Sequence, residues 1–143
     1  MASAECTVQI KASDSLTFDT SSIQVPSDCE RFTVELIHTG VLPIAATGHN
    51  WVLTKAQDLE LVARDAYRAG AAKGWIKPDD NRIIASTPII GRGQTAEVTF
   101  DVKRLEPGTP YAFLCTVGGH SPRMRGKLTL TPRPAQTPKK AGS

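Results

Sequence analysis

Tyr111-Ala112-Phe113-Leu114-Cys115-Thr116-Val117-Gly118-Gly119-His120-Ser121-Pro122-Arg123-Met124-Arg125-Gly126-Lys127-Leu128-Thr129-Leu130 holds two alternating apolar runs, Tyr111, Phe113, Cys115 and then Leu128, Leu130, separated by a glycine-bearing loop. Alternation of period two turns one set of side chains to one face of a half-buried strand. The pattern recurs at Cys6, Val8, Ile10, at Phe32, Val34, Leu36, and at Val98, Phe100, Val102. Shorter β-rich pieces lie at 15–18, 23–25, 51–53 and 81–86, between turn signals such as Pro26-Ser27-Asp28, Gly91-Arg92-Gly93 and Glu106-Pro107-Gly108. Seven or eight short strands with this punctuation predict an all-β, antiparallel sandwich.

One segment breaks the rhythm. Residues 54–74 have helical composition, with Leu59, Val62, Ala66 and Ala69 along one face and a Thr54-x-x-Gln57 capping-box pattern at the start. A helix inserted into the sandwich is expected, lying outside the barrel as a thin flap because its stripe is mostly alanine. After Leu130 the Pro-rich stretch 131–143 has no large apolar residue to anchor it and reads as a flexible tail.

A chain of 143 residues with 40% hydrophobic content can build one core and is too short for two. The net charge of +3 is scattered, with no basic run longer than Lys139-Lys140, which gives nucleic-acid binding little support. No apolar run approaches the roughly 18 residues that a spanning helix needs, so no membrane insertion is expected. Nothing in the pattern suggests more than a monomer.

The three cysteines divide into two plus one. Cys6 and Cys29 each border a strand-like run, and a disulfide between them would contribute roughly 3 kcal/mol and imply an oxidising compartment. Three buried free thiols in a reducing compartment are the other reading.

Cys115 stands apart, on one short loop with His120 and Met124. Both ends of that loop run into strands, so it can present three donors to one point. Far upstream, Gly48-His49-Asn50 supplies a second histidine, placed to close the site, and Gly48 offers a carbonyl with no side chain in the way. Two imidazoles, one thiolate and one weak thioether are the donor set of a blue-copper electron-transfer site. Thiolate and thioether favour Cu(I), imidazole suits either oxidation state, and a rigid site with a weak axial ligand keeps the two geometries close. Zinc can occupy the same ligands, but a methionine does nothing useful for it. His38, at the end of an alternating strand, reads as a core or edge residue. Copper storage or delivery is the alternative function. An enzyme would need an open coordination position and further proton-transfer groups beside the loop, and none is apparent.

With these residues in place, the chain resembles the azurins, bacterial blue-copper proteins of the cupredoxin fold. The match runs from Ala4-Glu5-Cys6 to Leu130, through Gly48-His49-Asn50-Trp51-Val52-Leu53, Lys77-Pro78-Asp79-Asp80, Val98-Thr99-Phe100-Asp101-Val102 and the ligand loop. The resemblance implies one cupredoxin domain over 4–130, a Greek-key sandwich or barrel with one inserted helix. It implies one type 1 copper ion with His49, Cys115 and His120 in the equatorial plane, and Met124 and the Gly48 carbonyl as weak axial contacts. Asn50 matches a residue whose side chain ties the two ligand loops together and whose amide points at the sulfur. Trp51 matches a tryptophan at the barrel's centre, and His38 a histidine that titrates beside the site without binding metal. Such proteins catalyse no reaction. They shuttle single electrons in the periplasm between redox proteins such as c-type cytochromes, haem reductases and copper nitrite reductases. Met1-Ala2-Ser3 then looks like a cloning remnant in place of an export signal.

Two departures stand out. The family's docking rim is apolar; here Leu42, Val117 and Pro122 keep part of it, while Thr47 and Arg123 occupy positions that are usually apolar. A partner with a partly acidic face is the expectation. Gly118 stands where close relatives usually carry proline, which adds an amide donor beside Val117 near the sulfur and loosens the loop.

Overall fold

The alternating residues fold into eight strands among the described residues, which are 6–43 and 47–132 of a computed structural model. The expected remnant at 1–3 and the tail from 133 onward lie outside them. In chain order the strands are β1 (Thr7–Ala12), β2 (Ser22–Pro26), β3 (Arg31–His38), β4 (Val52–Lys55), β5 (Ile83–Ser86), β6 (Thr95–Asp101), β7 (Tyr111–Leu114) and β8 (Arg125–Thr131), with one helix, α1 (Leu59–Ala69), between β4 and β5. They form a three-stranded sheet, β1-β3-β6, and a five-stranded sheet, β2-β8-β7-β4-β5. Cys6 and Cys29 are joined in a disulfide, which leaves Cys115 as the free, buried thiol.

The sandwich is not wholly antiparallel. β1 pairs with β3 and β2 with β8 in parallel register. The chain leaves β1, crosses to the other sheet as β2 and returns as β3, so β1 and β3 run the same way, which strand composition does not reveal. The expected strand at 15–18 is also absent: Leu16 lies in the left-handed region at φ 61, inside a turn closed by the Ser13 amide on the Thr17 carbonyl.

The core lies where the two inner faces meet. Ile10, Phe32, Val34, Leu36, Leu53, Phe113 and Leu128 are buried there around Trp51, which is fully inaccessible. Phe113 packs between Phe18 and Trp51, with ring centroids 5.6 and 5.8 Å away. Such aromatic pairs add to the area they bury.

The helix is shorter than its composition suggests. The strand β4 runs on to Lys55 because it pairs with β7 along its whole length, so Thr54 caps nothing. Its buried hydroxyl instead donates to the Arg82 carbonyl, 3.0 Å away. A 3-10 turn (Ala56–Asp58) leads into α1, and Gly70 at φ 79 ends it. Leu59 and Val62 pack on Val52, Ala112 and Leu114 in a second, smaller core, so the flap is anchored rather than loose.

Gly126 faces Phe113 across the β7–β8 pair. A Cβ there would collide with the Phe113 ring and lie 2.6 Å from the Ser21 carbonyl oxygen. Gly126→Ala is therefore expected to destabilise the fold by about 1–3 kcal/mol through overpacking. Urea denaturation measures it, and an unchanged midpoint would mean that Phe113 has room to move.

Candidate metal centre

The loop that follows β7 is closed by its own backbone. The Cys115 amide donates to the Met124 carbonyl at 3.0 Å, and inside that closure the His120 amide meets the Val117 carbonyl at 2.9 Å and the Met124 amide the His120 carbonyl at 3.0 Å. His49 arrives on a separate segment, bridged to Ile90 by paired backbone bonds of 3.0 and 2.8 Å. Asn50 ties the two segments: its side-chain carbonyl accepts from the Thr116 amide at 2.8 Å and its Nδ2 donates to the Thr116 hydroxyl at 2.9 Å. All of these residues are buried.

Three donors converge as a result. His49 Nδ1 lies 3.9 Å and His120 Nδ1 3.7 Å from Cys115 Sγ, and the three ligand atoms fall within 4.8 Å of one another. Metal bonds of about 2.0 Å to nitrogen and about 2.3 Å to sulfur at 120° put sulfur and nitrogen about 3.7 Å apart, close to the spacing of both sulfur–nitrogen pairs here. Met124 is fully buried in the same cluster and joined to Cys115 by the loop closure.

The imidazole orientation is set from outside the site. His49 Nε2 lies 2.8 Å from the Ser13 carbonyl, which can only accept, so Nε2 carries the hydrogen and Nδ1 turns its lone pair inward. His38 has no such lone pair to give. Its Nε2–H donates to the Thr47 carbonyl and its Nδ1 accepts from the Gly40 amide at 3.0 Å, while the ring stacks on His49 at 4.8 Å. Both nitrogens are committed, which leaves the ring no part in ligation.

Burial also sets the protonation states. It pushes the Cys115 thiol up to about 11, opposed by the backbone amides of Asn50 and Val117. It depresses His49 to about 4, a shift that the Ser13 carbonyl partly opposes. The amides of Asn50 and Val117 favour the thiolate, and the backbone of Gly118, the next residue, lies against the ring of Trp75.

The rim differs from its expected composition. Leu42, 46% exposed, and Pro122 and Arg123 stand at the surface, but Thr47 and Val117 are buried. The Thr47 hydroxyl donates to the carbonyls of Leu42 and Pro43, each at 3.3 Å, which folds it inward, while Val117 packs on the main core. Some contributors escaped the sequence reading. The Ser13 carbonyl acts through the backbone and leaves no side-chain signal. Arg125 braces the loop by donating to the Ser121 carbonyl at 2.8 Å and to Glu60 of α1 at 2.6 Å, a contact no spacing rule connects.

Comparison with known proteins agrees with this geometry. The family described as copper binding proteins, plastocyanin/azurin family, matches residues 4–131. The chain is 48% identical over 127 residues to an azurin of Pseudomonas aeruginosa, covering 89% of this chain and 86% of that one. Azurins of Pseudomonas denitrificans (49% identical; 89% and 99% covered) and Bordetella pertussis (44%; 89% and 85%) are similar too. Among solved structures, the azurin Az-iso2 of Methylomonas sp. strain J superposes with a TM-score of 0.84 at 41% identity, over 88% of this chain and 98% of that one. His49, Cys115, His120 and Met124 are positioned to bind a copper ion.

A thiol held at about 11 must lose its proton when metal arrives, whereas His49 is already neutral. Cu(II) binding near pH 8 is expected to release about one proton and to tighten about tenfold per pH unit up to about pH 10. Calorimetry in buffers of differing ionisation enthalpy counts the protons; a count near zero would mean that the free protein already holds a thiolate.

Proposed function

Because the chain belongs to the plastocyanin/azurin family of copper-binding proteins, we propose that it relays electrons between soluble redox proteins of the periplasm, docking them at the exposed rim beside His120. It is a blue-copper electron carrier and not an enzyme. The single observation behind that function is the buried His49, Cys115, His120 triad, whose two imidazole Nδ1 atoms stand 3.9 and 3.7 Å from the sulfur.

In this reading His49, Cys115 and His120 would be the principal donors to the copper ion, and the Met124 thioether and the Gly48 carbonyl would be weaker ones. Copper supplies the one-electron couple. The protein holds the donors where either oxidation state is tolerated, so transfer needs little rearrangement. Its walls exclude water, and the amides of Asn50 and Val117 draw charge from the sulfur, which raises the potential. Burial and bracing of the ligands favour retention of the metal over delivery to another protein.

The partners are c-type cytochromes or haem and copper reductases, met as a monomer. Leu42 and Pro122 supply an apolar contact and Arg123 a cation, which suits a partner with a carboxylate at its edge. The Cys6–Cys29 disulfide supports an oxidising compartment such as the periplasm.

Titration of the metal-free protein with Cu(II) is expected to give an intense thiolate-to-copper band that saturates at about one equivalent, bleaches with ascorbate and vanishes in Cys115→Ser. Pale absorption alone would overturn the reading. Electron transfer with an acidic redox protein is expected to slow several-fold as ionic strength rises from about 0.01 to about 0.15 M, and to lose most of that dependence in Arg123→Leu. A rate indifferent to salt in the native protein would remove Arg123 from docking.

A further inference from the structure

The ligand loop carries its loosest backbone between Cys115 and His120, where Gly118 is followed by Gly119 at φ 81. Two successive glycines are a poor way to hold two metal donors still. Gly118, however, is covered. A Cβ built on it would lie 2.7 Å from Cη2, 2.8 Å from Cζ2 and 3.2 Å from Cζ3 of Trp75, so the indole rests against the bare backbone at a distance no other residue at 118 would permit.

Trp75 is brought there by an unusual piece of chain. After α1, Gly70 (φ 79), the short turn Ala71–Lys73 and Gly74 (φ 69) reverse the direction, and Trp75 itself adopts φ 57, a conformation that bulky side chains avoid. Its amide donates to the Gly70 carbonyl at 3.0 Å, which closes the reversal. The ring is backed by Tyr67 of α1, stacked at 5.9 Å, and packs on the edge of the main core. Backbone strain at a residue whose ring meets the ligand loop suggests that the ring's position is what the strain maintains.

We propose that Trp75 is a positioning residue for the metal site: its indole, held between Tyr67 and Gly118, clamps the loop backbone at Gly118 and so fixes His120 relative to Cys115. The proposal rests on the copper site described above for its consequences, but the clamp itself belongs to the metal-free fold. Its logic is reciprocal. The ring requires glycine at 118, and glycine at 118 requires the ring.

The test compares native protein with Trp75→Ala, Trp75→Phe, Gly118→Ala and the Trp75→Ala/Gly118→Ala double variant. In the metal-free full chain, hydrogen exchange at the amides of Gly118, Gly119 and His120 is expected to quicken by about tenfold or more in Trp75→Ala, while Leu53 and Phe113 in the core slow or quicken only with global stability. With Cu(II) bound, Trp75→Ala is expected to shift the blue band and the reduction potential and to lose metal to EDTA about tenfold faster, with Trp75→Phe intermediate. Gly118→Ala is expected to disturb the band in the native background and to add no further disturbance when Trp75 is already alanine. Unchanged loop exchange, band and potential in Trp75→Ala, with only the melting temperature lowered, would overturn the proposal and make Trp75 a filler. Failure of any variant or of the native chain to form a blue band leaves the metal-free exchange experiment to decide the clamp, and bears on the copper reading separately.

Discussion

The site exists because one buried asparagine side chain holds two distant segments together. His49 lies before β4 and Cys115 after β7, far apart in sequence, and sheet pairing alone places β4 beside β7 without fixing how the chain continues past their ends. Asn50 uses both ends of its amide on Thr116, the residue after Cys115, so a short polar bridge sets the separation of the imidazole and the sulfur. Every group in that bridge is buried, where an unmade bond costs about 1–3 kcal/mol. The penalty for breaking it makes the spacing stiff, and the triad distances follow from it.

Burial explains the rest of the chemistry. A dry pocket disfavours charge, so in the metal-free site the His49 imidazole and the Cys115 thiol are both neutral. A cation entering this pocket reverses the preference by ionising the sulfur, and the charge it leaves is smaller than that of the ion in water. Because the surrounding dipoles already point at the sulfur from Asn50 and Val117, little has to reorient when an electron comes or goes. The same dryness has a cost in the core: Trp51 Nε1 is buried without a hydrogen-bond partner among the described residues. Its ring nonetheless fills the centre of the sandwich and stacks on Phe113, so packing outweighs one unmade bond.

Much of this was legible in the sequence, and the failures have physical causes. Alternation located β3, where Phe32, Val34, Leu36 and His38 are buried in strict alternation, and also β6, β8 and β7, although β7 is buried on both faces, with Tyr111 and Phe113 in the main core and Ala112 and Leu114 in the second. It could not give strand direction, which depends on where the intervening strand lies, so the two parallel pairs were missed. Ser15 to Phe18 has strand-like composition, but the hydroxyls of Ser13, Ser15 and Thr17 bond one another and favour a turn. Thr54 matched a capping box and lost to β pairing that extended through it. At the site, side-chain donors announce themselves by type and spacing. A backbone carbonyl such as that of Ser13 does not, nor does a ring that reaches the loop from a glycine-rich reversal elsewhere. Thr47 misled for a related reason: a polar side chain at a rim reads as exposed until the backbone carbonyls that satisfy it are known.

Glycines in and beside the ligand loop are at odds with a site that must not move. Gly118 in the loop and Gly126 in β8 resolve part of the conflict, because each lies under an aromatic ring, Trp75 over the first and Phe113 over the second. A residue with a side chain would stiffen the local backbone but hold the ring away. Glycine gives up local stiffness and gains close contact with a rigid body that is itself fixed elsewhere, Phe113 by Trp51 and Phe18, Trp75 by Tyr67. Rigidity at the metal is therefore stored in tertiary packing rather than in the loop's own covalent preferences. It follows that the donors are held only while the sandwich and α1 are intact, and that metal binding and folding are linked in both directions: a ligand that binds only the folded chain stabilises it by its own mass action.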